Sequence, residues 1–170
     1  YGNILTSALK PYSSSISLTT RHQYSLNGVY ETSITDPMGL TTSYTYNALG
    51  LLASTEDVRG NITTYKYDGL GRLKKTDYPD GTYTSISRAW STVAGGVYSL
   101  TKETSGEPTV TVYYDSRELE LRTSQIRFDG SPLFVDNVYD NAGRLQKVSL
   151  PFKGSVPCLL YTSDAADARI

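Results

Sequence analysis

Cysteine, histidine, methionine and tryptophan each occur once in the 170 residues. A single Cys excludes a disulfide framework and a thiolate zinc site, and one His beside it leaves almost no ligand set for a transition metal. No metal site and no cofactor is expected. Neither sign of charge dominates: 16 Lys and Arg against 17 Asp and Glu give a formal net charge of −1, which offers no basic field for nucleic acid or an anionic membrane. No apolar run approaches the roughly 20 residues of a membrane helix, so membrane insertion is not expected. The start, Tyr1-Gly2-Asn3-Ile4, has neither an initiator Met nor the regions of a signal peptide, and the chain reads as an excerpt. Catalytic strings are missing too. His22, between Arg21 and Gln23, reads as an exposed loop residue rather than a general base, and no enzyme is expected.

What the chain has is tyrosine, 15 residues against 3 Phe, together with 14 Gly and a period. Gly39, Gly60 and Gly81 are each 21 apart, as are Gly50 and Gly71, Tyr44 and Tyr65, Tyr46 and Tyr67, Leu52 and Leu73, and Asp36 and Asp57. Each unit carries two turn signals. Asp36-Pro37-Met38-Gly39 has the residue preferences of a type I turn. Asn47-Ala48-Leu49-Gly50 and Asp68-Gly69-Leu70-Gly71 put Gly where a positive φ is available. Turns every 10 or 11 residues suit an antiparallel meander of short strands and leave no room for ordinary helices. Leu40, Tyr44 and Tyr46 share one face under the two-residue strand period. The fold expected is all-β, repeated antiparallel hairpins in a continuous curved sheet, with one packed face and one wet face.

The flanks are less regular. Residues 1–23 read as a Ser/Thr-rich lead-in or edge strands, and residues 24–90 as the array of 21-residue repeats, starting from a degraded copy at Tyr24-Ser25-Leu26-Asn27-Gly28. Residues 91–112 interrupt the period as an irregular β insertion, with turns at Ala94-Gly95-Gly96 and Ser105-Gly106-Glu107-Pro108 around a strand from Val97 to Lys102. Residues 113–157 return to the pattern, with a turn at Phe128-Asp129-Gly130. Residues 158–167, CLLYTSDAAD, resemble a translated sequencing-library adapter; on that reading residues 158–170 are a non-native tail, and without them the net charge is zero. The other reading is a short helix over DAADAR after a Leu-Leu-Tyr strand.

At YDGLGRL (67–73) and YDNAGRL (139–145) the chain resembles the RHS or YD-repeat family. The stretch 113–152 also resembles a segment of long bacterial RHS proteins and of the BC components of Tc toxins. The motif positions are Tyr46 and Gly50; Tyr67, Asp68, Gly71, Arg72 and Leu73; Tyr114 and Asp115; and Tyr139, Asp140, Gly143, Arg144 and Leu145. Two copies depart from it. YNALGLL has Asn47 and Leu51 for Asp and Arg, and YDSREL has Glu118 for Gly, so the last turn is expected to differ in shape because Glu tolerates positive φ poorly. The resemblance implies a sheet spiralling into a hollow shell around a C-terminal toxin or effector domain, with the remaining repeats and that cargo as partners, and a secreted or cell-surface bacterial location. Asp36-Pro37-Met38-Gly39-Leu40 is superficially similar to the family's autoprotease signature but reads as a turn.

The motif residues have structural readings. Arg72 and Arg144 are placed to pair with Asp68 and Asp140 as surface salt bridges, and the Asp side chains to organise their own turns. Tyr44, Tyr46, Tyr65 and Tyr67 form either a cross-strand ladder or a stacking surface for cell-surface glycans. Fragment of a structural shell is therefore the leading reading, and a carbohydrate-binding or adhesion module the alternative. Open strand edges at both ends are expected to make the excerpt fold poorly alone.

Overall fold

The computed structural model describes residues 2–9, 17–154 and 157–161, in which every regular element is a strand. Two compact units divide at Tyr83/Thr84. The first holds β1 (Thr6–Leu9), β2 (Leu18–Tyr24), β3 (Glu31–Thr35), β4 (Thr41–Tyr46), β5 (Leu52–Glu56), β6 (Ile62–Tyr67) and β7 (Leu73–Asp77). Within it, each strand pairs antiparallel with its neighbours in chain order. Next come β8 (Tyr83–Trp90), β9 (Tyr98–Thr104), β10 (Val110–Tyr114), β11 (Glu120–Ile126), β12 (Pro132–Tyr139), β13 (Leu145–Ser149) and β14 (Leu159–Tyr161). They pair in the same sequential manner. The chain is thus all-β and built of repeated antiparallel hairpins. Within residues 91–112, β9 and β10 form an ordinary antiparallel hairpin. The Leu-Leu-Tyr strand is present as β14, while residues 162–170 lie outside the described residues, as do residues 10–16 of the lead-in.

Local sequence explains the hairpins. In the turn at 68–72, the Gly71 amide donates to the Asp68 carbonyl at 3.0 Å and the Asp68 amide to the Arg72 carbonyl at 2.9 Å. Gly71 has φ 77°, so a type I turn is followed by one left-handed residue, a common three-residue hairpin connection. The DPMGL segment makes the same turn, with the Gly39 amide on the Asp36 carbonyl at 3.0 Å. One step inside five of the hairpins the register slips: at Tyr24, Tyr46, Tyr67, Tyr114 and Tyr139. Such a slip leaves backbone groups out of the ladder and sharpens the local twist.

The two faces differ without either being packed. In the first unit Ile34 lies opposite Thr42, Tyr44 opposite Thr55, Tyr46 opposite Leu52 and Tyr67 opposite Leu73, which collects the larger side chains on one face. Hydroxyl pairs such as Thr35–Thr41 at 2.9 Å and Thr45–Ser54 at 2.7 Å lie on the other. The expectation of one packed face is corrected: among the described residues no apolar side chain is buried, and the buried residues are polar, Ser33, Thr76, Ser99, Asp115, Ser124 and Ser149. A single sheet has no second layer to cover its apolar face, so its tyrosines and leucines stay half-exposed.

Candidate functional site

The motif aspartate builds its turn from within. Asp68 Oδ1 accepts the amides of Leu70 at 3.0 Å and Arg72 at 2.9 Å, and Oδ2 accepts Arg72 Nε at 2.7 Å. Asp140 repeats this with Ala142, Arg144 and a 2.7 Å bond from Arg144 Nε. Asp36, Asn47 and Asp57 hold their turns by the same pair of amide bonds. At Asp68 and Asp140 the donors favour the ionised form. The Arg72 amide, then its side chain, holds Asp68 below the usual carboxylate range, and Arg144 does the same for Asp140.

The departures from the motif have compensations. Leu119 stands where Arg would reach Asp115, and Arg117 supplies the missing donor, Nε to Asp115 Oδ2 at 3.1 Å. Asn47 has no second carboxylate oxygen to neutralise, and Leu51 follows in place of Arg. Glu118 overturns the expected change of shape. It adopts φ 64°, its amide bonds the Asp115 carbonyl at 3.2 Å, and Asp115 Oδ1 accepts the Arg117 and Leu119 amides at 2.8 and 2.9 Å. The aspartate cradle holds the turn, and the left-handed residue bears strain of about 1–2 kcal/mol that Gly would not. The two leucines also pack onward. A Cβ built on Gly71 lies 3.5 Å from Leu51 Cδ1, and one on Gly143 lies 3.7 Å from Leu119 Cδ1, while one on Gly50 would run into the Tyr30 hydroxyl.

Hairpins are also tied by the motif tyrosines. Tyr46 Oη donates to the Glu31 carbonyl at 2.9 Å, Tyr67 Oη to the Leu52 carbonyl at 2.9 Å, and Tyr139 Oη to the Glu120 carbonyl at 3.1 Å. Each acceptor is the residue opposite the slipped tyrosine of the preceding hairpin: Glu31 faces Tyr24, Leu52 faces Tyr46, and Glu120 faces Tyr114. A tyrosine therefore reaches back to the irregularity its predecessor creates. Burial, then Glu31 and Tyr44, raises the Tyr46 phenol above its ordinary range, and burial with Glu120 does so for Tyr139. Tyr44 and Tyr65 are half-buried; Tyr65 lies opposite Thr76 and the ring partner of Tyr46 is Tyr30, centroids 4.8 Å apart. His22 is corrected from a loop to a strand residue: it sits in β2 with Nδ1 2.5 Å from Glu31 Oε1.

The second unit has a cluster that motif reading missed. Arg122 on β11 makes a two-pronged bond to Asp136 on β12, Nε–Oδ1 2.5 Å and Nη2–Oδ2 2.7 Å. Its guanidinium lies 5.0 and 5.5 Å from the Phe134 and Phe152 ring centroids, and the Asp136 hydrogen bond raises its pKa further. This pair floors a groove of about 590 Å³ bordered by Tyr113, Phe134, Thr92–Ala94 and Pro157. The groove is mostly apolar, with its charges neutralised by each other. A signal for it existed: centring a hairpin on Asp129 pairs residue 122 with 136.

Residues 31–62 and 46–83 match the family model for the RHS repeat. Residues 31–83 are RHS repeats. No curated protein matches the sequence. Among solved structures, a mutant Photorhabdus luminescens Tc holotoxin pore is similar over 80% of this chain at 20% identity, with a TM-score of 0.44. A TcdB2–TccC3 complex is similar over 82% at 18% identity, with a TM-score of 0.46. The same assembly without its hypervariable C-terminal region is similar over 80% at 17% identity, with a TM-score of 0.40. The chain spans about 9 to 10% of the length of these proteins.

Proposed function

We propose that these RHS repeats form a stretch of β-wall that encloses or presents a C-terminal toxin or effector domain of the same polypeptide, in a secreted or cell-surface bacterial protein, and that the wall performs no chemistry. The observation that carries this reading is the pairing of two facts. No apolar side chain among the described residues is buried, while successive hairpins are joined by tyrosine-to-carbonyl bonds that skip to the preceding repeat. A sheet stabilised from repeat to repeat extends by adding hairpins, each covering the edge of the last. Tyr46 and Tyr67 commit their hydroxyls to backbone carbonyls, which supports this reading over display of those two tyrosines to glycans.

Electron microscopy and limited proteolysis of the full polypeptide carrying these repeats test the proposal. A hollow particle whose C-terminal domain resists protease until the particle is opened is the expected result. A solid particle, or a C-terminal domain cleaved at the same rate with the wall intact and unfolded, overturns it.

A further inference from the structure

The connection between β2 and β3 is unlike the other motif turns. Ser25 replaces the first-position Asp or Asn, and Asn27 sits directly before Gly28, which no other Asn of the chain does. Asn27 is exposed. Its Oδ1 accepts the Ser25 hydroxyl at 2.5 Å and faces the Val29 amide at 3.4 Å. Ser25 Oγ in turn accepts the Tyr30 amide at 3.1 Å, which leaves the hydroxyl proton directed at the carboxamide. The Gly28 amide donates to the Ser25 carbonyl at 2.7 Å, and Gly28 has φ 67°.

We infer that Asn27–Gly28 is a self-modifying site at which the turn promotes deamidation of its own asparagine. The Gly28 nitrogen bonds to Asn27 Cγ, the Cγ–Nδ2 bond breaks, and Nδ2 leaves as ammonia with the proton given up by the Gly28 nitrogen. Solvent water then opens the cyclic imide at either carbonyl, giving aspartate or isoaspartate at position 27. Negative charge develops on Oδ1 as the new bond forms, where the Ser25 hydroxyl and the Val29 amide already point, an arrangement of the kind that stabilises oxyanions. The hydrogen bond from the Gly28 amide to the Ser25 carbonyl must open first, so the site is gated by the turn and armed by it. Gly at position 28 leaves the attacking nitrogen without a neighbouring Cβ. Isoaspartate lengthens the main chain between β2 and β3 and adds a negative charge there, so the reaction marks this hairpin irreversibly.

The full chain, incubated at mildly alkaline pH, is followed by peptide mapping that separates aspartate and isoaspartate products. Conversion is expected at Asn27 ahead of every other Asn. Ser25→Ala is expected to slow it roughly tenfold in the native chain, less than a donor contributes in a water-excluded enzyme site, with Ser25→Thr restoring the rate and no difference among the three in urea. Native-state rates that are unchanged or faster in Ser25→Ala, or conversion spread over other asparagines, overturn the inference. Asn27→Gln controls for the assignment: product persisting in that peptide also overturns it.

Discussion

Two regions solve one problem with different residues. In 47–72 and in 115–144, a first hairpin carries Leu after its left-handed residue, Leu51 or Leu119, and a later one carries Arg, Arg72 or Arg144. Both leucines pack toward the left-handed Gly of the later turn, and both arginines bond the aspartate of their own turn. The regions differ in the first hairpin. Asn47 and Gly50 make the turn in one; Asp115, Arg117 and Glu118 make it in the other. The side-chain acceptor at the first position is thus the constant part. The Gly and the Arg are replaceable, the Gly by a strained residue and the Arg by a donor two positions earlier. The spacing differs as well: Asp115 and Asp140 are 25 apart rather than 21, because β11 and β12 are 7 and 8 residues long against 5 and 6 for β5 and β6.

The comparison breaks most sharply at glycine. Gly39 and Gly50 have φ of 85° and 78°, so Ala at either carries a similar backbone strain of about 1–2 kcal/mol. Only at Gly50 does the new methyl meet the Tyr30 hydroxyl, whereas nothing lies within 4 Å at Gly39. Gly50→Ala is therefore expected to cost about 3 kcal/mol, adding an overpacking term of roughly 1–3 kcal/mol, and Gly39→Ala only the strain less the roughly 0.5–1 kcal/mol of chain entropy that replacing Gly saves at both sites. Chemical denaturation of the full chain measures both. Equal losses would mean that Tyr30 moves aside freely and does not lock the turn.

Next comes the tie between hairpins. Tyr67→Phe and Tyr139→Phe each remove one hydroxyl donor from a carbonyl of the preceding hairpin; the first is expected to cost about 1 kcal/mol and the second less, because Asn137 Nδ2 also donates to the Glu120 carbonyl at 2.9 Å. Hydrogen exchange should quicken at the preceding hairpin, around Leu52 and Glu120, as well as at the mutated one. Exchange confined to the mutated hairpin would show that the bonds do not couple repeats.

These ties also mark the limit of what the sequence discloses. The 21-residue period and the Asp and Gly of each turn report local backbone geometry, which neighbouring residues determine, and so the hairpins are legible. The Tyr67–Leu52 bond spans a separation of 15 residues; the slips it depends on fall at a tyrosine in five hairpins, but which carbonyl each one frees is set by cross-strand register and not by local sequence. Arg122 and Asp136 become partners only once a hairpin is centred on Asp129. Leu51 reads as a lapse from a motif, yet its side chain, like that of Leu119, serves the next turn rather than its own. His22 lies in a polar stretch because its strand is only half-covered, and polarity there imitates a loop.

A smaller effect of opposite sign comes from Glu118. Relief of its left-handed strain, about 1–2 kcal/mol, is partly offset by the extra chain entropy of Gly, roughly 0.5–1 kcal/mol. Glu118→Gly is therefore expected to stabilise by about 0.5–1 kcal/mol, a small upward shift in melting temperature. Destabilisation would mean that the Glu side chain contributes something beyond its place in the turn.

Acid should separate individual turns by the charge of their side-chain acceptors. Asp68, Asp115 and Asp140 have pKa values held below the ordinary carboxylate value of 3.8 by turn amides and arginines, and Asp129, bonded by Ser131 and near Arg127 and Lys153, is lowered to about 2. A carboxylate whose folded pKa is depressed contributes stability above its unfolded pKa, and that contribution is lost as pH falls through the folded one. Between about pH 4 and pH 2 the aspartate turns therefore weaken, while the Asn47 turn, whose amide acceptor does not titrate, keeps its bonds. Exchange at the Leu49 and Leu51 amides should change less over this range than at Leu70 and Arg72. If the two pairs change together, the hairpins of the first unit open as one body, and the turn acceptor does not set local stability. Asp68→Asn would then distinguish the causes: it should remove the acid sensitivity at residues 70 and 72 only if that sensitivity is local.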